Sequence, residues 1–78
     1  MKLFLLTQND NRGYDTYDSA VVVAETEEDA RKIHPHGAEW GAHTRMWADY
    51  PDRVKVELLG EAIFGTNSGV VLASFNAG

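Results

Sequence analysis

Between residues 31 and 50 the chain places Trp40, Trp47 and Tyr50 among Arg31, Lys32, Arg45 and all three of its histidines, His34, His36 and His43. These residue types can do two things together. Flat rings hold the face of a purine, at about 1–3 kcal/mol per stacked base. A guanidinium takes a pair of phosphate oxygens through its planar fork. Combined, they are the parts of a nucleotide-like pocket. The same tryptophans have a second use, which is to cover the far face of a thin sheet.

A second cluster lies upstream, in the stretch NRGYDTYDSAVVVA at residues 11–24. Two tyrosines, two aspartates and a threonine run straight into a β-branched apolar segment. A buried strand has no need of that entrance, whereas a binding site has. On an extended strand Tyr14, Thr16 and Asp18 share one side and Asp15, Tyr17 and Ser19 the other. The two carboxylates then cannot share a proton. They are suited to accept hydrogen bonds, from a ligand or from the neighbouring turn backbone.

Other chemistries are poorly served. His34 and His36 flank Pro35 and match no compact zinc spacing. No glycine elbow surrounds Ser19, Ser68 or Ser74, as a nucleophilic serine would require. GEAIFGTNSG lacks the lysine and following helix of a phosphate loop. Tyr14 and Tyr17 stand in acidic company, unlike the stacking strands of RNA-binding sheets. The expectation is therefore a binding protein that is not an enzyme, with no cofactor and no bound metal.

The elements that must position these residues can be read from the pattern. KLFLLT, residues 2–7, is a continuous apolar run, expected as a central strand covered on both faces. QNDNRG is turn chemistry. YDTYDSAVVVA is a second strand, pairing with the first as a hairpin across about six loop residues. Thr26 is an N-cap with Asp29 three residues on, Glu27 and Glu28 suit the first turn, and Arg31 and Lys32 suit the last. Pro35 ends this helix at or before His34, with Ala30 and Ile33 as its narrow apolar stripe. Residues 35–52 form a long loop with room for one helical turn at 43–48. RVKVELLGEA alternates as a half-exposed strand, FGTNSG turns, and GVVLASF is a final strand. The expected fold is α+β: one domain over 1–78, ordered β-β-α-loop-β-β, with a four-stranded, mainly antiparallel sheet and one short helix.

Size and charge narrow the partners. A chain of 78 residues buries only about 60–65% of its unfolded surface. Without cysteine it has no disulfide to compensate, so a homo-oligomer, a dimer or higher, is expected. The net charge of −5 argues against binding a nucleic-acid polymer. Residues 31–48 nevertheless sum to +2, a local field suited to one small anion. The N-terminal stretch does not read as a signal peptide, and no apolar run approaches the roughly 20 residues of a membrane span. No membrane partner is expected.

Tyr14-Asp15-Thr16-Tyr17-Asp18-Ser19, Ala30-Arg31, His34-Pro35, Trp40, Trp47 and the ending Ser74-Phe75-Asn76-Ala77-Gly78 resemble a family of small, mostly uncharacterised proteins of bacteriophages and prophages. The resemblance runs over nearly the whole chain and carries no catalytic residue with it. It implies a protein acting in the cytoplasm of an infected bacterium. By analogy with phage sponges, which sequester the nucleotide messengers of systems such as Thoeris or CBASS, it implies a phosphorylated cyclic nucleotide as ligand. On that reading Tyr14, Trp40 or Trp47 stacks on a base. Arg12, Arg31 and Arg45 neutralise phosphate, and Asp15, Thr16, Asp18 and Asn76 bond ribose hydroxyls or base edges, with His34 beside them. Three alternatives stand next to it. One is an acidic inhibitor that docks on a host defence protein, as anti-CRISPR and anti-restriction proteins do. Another is a small nucleotide hydrolase using His34, His36 or His43. The last is a structural accessory protein of the phage.

Overall fold

A computed structural model of the protein describes residues 1–37, 40, 46–63 and 65–76. Four strands, β1 (Lys2–Thr7), β2 (Thr16–Ala24), β3 (Lys55–Glu61) and β4 (Gly69–Asn76), make one antiparallel sheet in the order β3-β1-β2-β4. A short helix, α1 (Glu27–Arg31), follows β2, and one 3-10 turn, Pro51–Arg53, precedes β3. The fold is α+β, as the order of apolar runs and turn residues implies.

The core lies on one face of the sheet. Phe4 and Leu6 of β1 and Ala20, Val22 and Ala24 of β2 meet Ala30 of α1 and Trp47, Ala48 and Val54 of the long connection. All of these are buried. Tyr17, Ile33, Trp40, Val56 and Ala73 pack around the edge of this cluster. The alternate residues of β1, namely Leu3, Leu5 and Thr7, are only half-buried. β1 is thus central in the sheet but closed on one face, not on both. The covering layer is α1 with the 46–54 segment, and the chain has no second helix among the described residues to cover the other side.

α1 begins as its residues dictate. The Thr26 hydroxyl accepts from the Asp29 amide at 3.1 Å, and three acidic residues fill the first turn while Arg31 sits in the last, each favoured by the helix dipole. It stops at Arg31, before His34, as Pro35 requires. The Trp40 indole N–H donates to the Lys32 carbonyl at 2.7 Å and so satisfies one of the acceptors left open at the helix end.

β2 departs from simple alternation at both ends of YDTYDS. The strand starts at Thr16 rather than Tyr14. Asp15 takes a left-handed conformation with φ 60°. The register against β4 slips between Tyr17 and Ser19, so Asp18 is the extra residue of a β-bulge. The side chains of this stretch therefore do not fall on the two faces that an unbroken strand assigns them.

Candidate functional site

The 8–15 connection is tied down by one buried side chain. The Gln8 amide donates to the carbonyls of Asn11 (2.5 Å) and Tyr17 (2.9 Å), and its oxygen accepts from the amides of Asp10 (2.7 Å) and Asn11 (2.9 Å). Asn11 then reaches the Trp47 carbonyl at 2.6 Å. Asp10 accepts from the Arg53 guanidinium at 2.7 Å and from the Asp49 amide at 3.1 Å. These bonds clamp the turn onto the 46–53 segment. They hold Asp10 below the ordinary carboxylate pKa, through the Arg53 hydrogen bond first and the Asp49 amide next. The residues of QNDNR are structural connectors here.

Beyond that clamp, the start of β2 and the end of β4 meet. Thr16 pairs with Asn76 and Tyr17 with Phe75. The Asp15 amide donates to the Asn76 carbonyl at 2.5 Å, and the Asn76 side chain donates to Asp18 Oδ1 at 2.6 Å. Tyr17 packs against the Phe75 ring with centroids 4.8 Å apart, and its hydroxyl lies 3.1 Å from His36 Nδ1. Thr16 is buried and donates to the Gly13 carbonyl at 2.7 Å. Tyr14, at the tip, is 80% exposed. The result is a polar and aromatic surface at one end of the sheet, carried on tied-down backbone.

The candidate residues separate into groups. Tyr14, Asp15, Thr16, Asp18 and Asn76 are brought together at this end. His36, a candidate of the hydrolase alternative, joins them together with Tyr17 and Phe75, which do not stand among the ligand-binding candidates drawn from the sequence. Their signal was the pairing of β2 with β4, which a single sequence does not print. Arg12 is on the adjacent turn and exposed, donating to the Gln8 carbonyl and the Asn9 side chain, each at 3.2 Å. Arg31 is engaged elsewhere, beside Glu27 (4.0 Å) and Glu28 (3.7 Å) and toward the Val54 carbonyl.

The tryptophans do structural work. Trp47 is fully buried in the core, and stacking a base on it would require its removal from there. Trp40 lies edge-on to His34, centroids 5.5 Å apart, besides capping α1. His34 is itself buried and its Nδ1 accepts from the His36 amide at 3.1 Å. Arg45 and His43 lie outside the described residues, as does the first half of the helical turn expected at 43–48; its described part, 46–48, is not helical. Among the described residues no group of three or more histidines, aspartates or glutamates is placed to hold a metal ion.

No known protein family, curated protein or solved structure matches the chain. Among the described residues no helix is long and apolar enough to cross a membrane.

Proposed function

We propose that the protein works by occupancy: it holds a small phosphorylated nucleotide at the β2–β4 end and withholds it from a bacterial immune pathway, as a phage-encoded sponge does. One observation carries the reading. Tyr14 is left 80% exposed at the tip of a turn whose next residue, Asp15, adopts a left-handed backbone conformation while its amide N–H donates a hydrogen bond to the Asn76 carbonyl. An aspartate in that conformation on a tightly tied surface loop is the kind of local strain that gathers at ligand sites. In this reading the Tyr14 ring stacks on the base, Asp15 and Asp18 accept from ribose hydroxyls or base N–H groups, and Arg12 meets phosphate.

Calorimetric titration with a panel of cyclic nucleotides tests it, followed by chromatography of what is released on heating. The expected result is tight binding with the nucleotide recovered intact. Tyr14→Ala should keep its thermal stability and bind about tenfold or more weakly, the loss of one stacked base. If Tyr14→Ala binds every candidate as the parent does, the site assignment is wrong; recovery of a cleaved nucleotide would make the protein an enzyme.

A second reading draws on the helix. Glu25, Glu27, Glu28 and Asp29 are all exposed within five positions, an acidic face suited to docking on a basic host protein. Its mark is a host protein captured in low salt, released in high salt, and lost when these four residues are neutralised.

A further inference from the structure

The two edges of the sheet are built differently. The β3 edge carries Lys55, Glu57 and Glu61, and its register slips beside Leu3 and Phe4. Charges and a bulge are the usual means of stopping an edge strand from pairing with another chain. The β4 edge, Gly-Val-Val-Leu-Ala-Ser-Phe-Asn, has no charged residue and no proline. Its pairing with β2 has two irregularities: Val71 is the extra residue near the start of β4, and Asp18 of β2 is the extra residue opposite the step from Ser74 to Phe75. From Leu72 to Phe75 the strand continues without a break in its own chain, and no described strand lies beyond it.

Its side chains add a second observation. Leu72 pairs with Val21 on the open face, and Phe75 pairs with Tyr17 on the covered side. Both are exposed, Leu72 at 68% and Phe75 at 42%, and Val71 is exposed at 58%. Apolar residues on both faces are the pattern of an interior strand, yet β4 stands at an edge.

We infer that Leu72–Asn76 of β4 pairs antiparallel with the same segment of a second copy of the chain, joining two four-stranded sheets across a two-fold axis. The occupant is another copy because of charge. A chain of net −5 repels itself; β4 carries no charge, so two copies meet there in any register without a like-charge pair, whereas β3 escapes one only in registers such as that placing Lys55 opposite Glu61. Such a contact is isologous and closes at the dimer. Strand pairing alone buries less than the roughly 1,200 Å² typical of a stable interface, so association is expected in the micromolar range and not tighter. This inference does not depend on the ligand reading above.

The test is sedimentation velocity from low micromolar to millimolar concentration on the parent, Leu72→Lys, Ser74→Lys and, as a control on the other edge, Leu58→Lys. Circular dichroism confirms that each is folded. The parent and Leu58→Lys should reach a dimer and stop there, while Leu72→Lys and Ser74→Lys should associate at least tenfold more weakly. Added salt should leave the parent's association unchanged or strengthen it. Amide hydrogen exchange on the parent gives a readout independent of the variants: protection at 72–76 should rise with concentration. A parent that stays monomeric at millimolar concentration overturns the inference. So does a dimer that survives both lysines, one broken by Leu58→Lys, assembly beyond two copies, or exchange at 72–76 that ignores concentration.

Discussion

Asp10 and Asp15 sit five positions apart on one turn and do opposite things. Asp10 is drawn inward, its side chain 7% exposed against an Arg53 that is 62% exposed. Its folded pKa lies below the ordinary value, so the pair contributes stability that is present above the unfolded carboxylate pKa and lost as pH falls through the folded one. Asp10→Asn is therefore expected to melt below the parent at neutral pH, with the gap closing on acidification below about pH 4. A gap that stays constant across a pH series of melting curves would show that the pair is not linked to folding. Asp15 points the argument outward. Its left-handed φ costs a β-branched residue roughly 1–2 kcal/mol and glycine nothing. Asp15→Gly should thus be close to neutral in stability and Asp15→Val should fall by that amount in urea titration. If the carboxylate also serves the ligand, Asp15→Gly loses affinity while keeping its fold, which separates backbone from side chain at one position.

At the scale of elements, what could be read early was whatever rests on local chemistry. The apolar run of β1, the Val21–Val23 segment of β2, the alternation of β3 and the Thr26 cap each depend on neighbours within a few residues, and each stands where its pattern puts it. The misses all depend on distant partners. The bulge at Asp18 exists only in register with β4. The open face of β1 follows from the lack of a second covering layer among the described residues. For the candidate site the division is the same: Tyr14–Asp18 stood out as an unusual strand entrance, but Tyr17 meets Phe75 only through the sheet and His36 only through the chain's return after α1. QNDNRG shows how turn residues conceal a specific device. Gln8 alone makes four bonds to backbone groups, and Gln8→Ala should cost at least about 2 kcal/mol by leaving them without partners. Gln8→Glu keeps the two accepted bonds and turns a carboxylate oxygen toward two carbonyls. It should be comparably unstable at neutral pH and partly restored in mild acid, when the protonated group can donate again. Denaturant curves at two pH values check this, and an Ala variant as stable as the parent would remove Gln8 from its role.

For the whole molecule, the thin core and the unguarded edge are one problem. A single layer of α1 and the 46–54 segment buries nine core residues on one face, leaving β4 with apolar side chains that the monomer does not use. Marginal stability in so small a chain is commonly made up by association. If β4 supplies it, folding and association are coupled, and mass action fixes the consequence: above the dissociation constant each tenfold rise in protein concentration adds about 1.4 kcal/mol per dimer, about 0.7 kcal/mol per chain. For a domain of this size that is a Tm rise of roughly 3–5 °C per decade of concentration. Ser74→Lys should abolish the slope while leaving the dilute-limit Tm where the parent's extrapolates, because Ser74 is exposed and contributes nothing to the monomer core. The neutral edge also sets the response to salt. A dimer held by charge complementarity weakens as ions screen it, whereas two acidic chains meeting at an uncharged strand lose only their repulsion, so the concentration slope should persist or steepen at high salt. A slope that vanishes at high salt would place the contact on the charged face of α1 instead, and a Tm independent of concentration would leave the 78-residue monomer to stand on its own core.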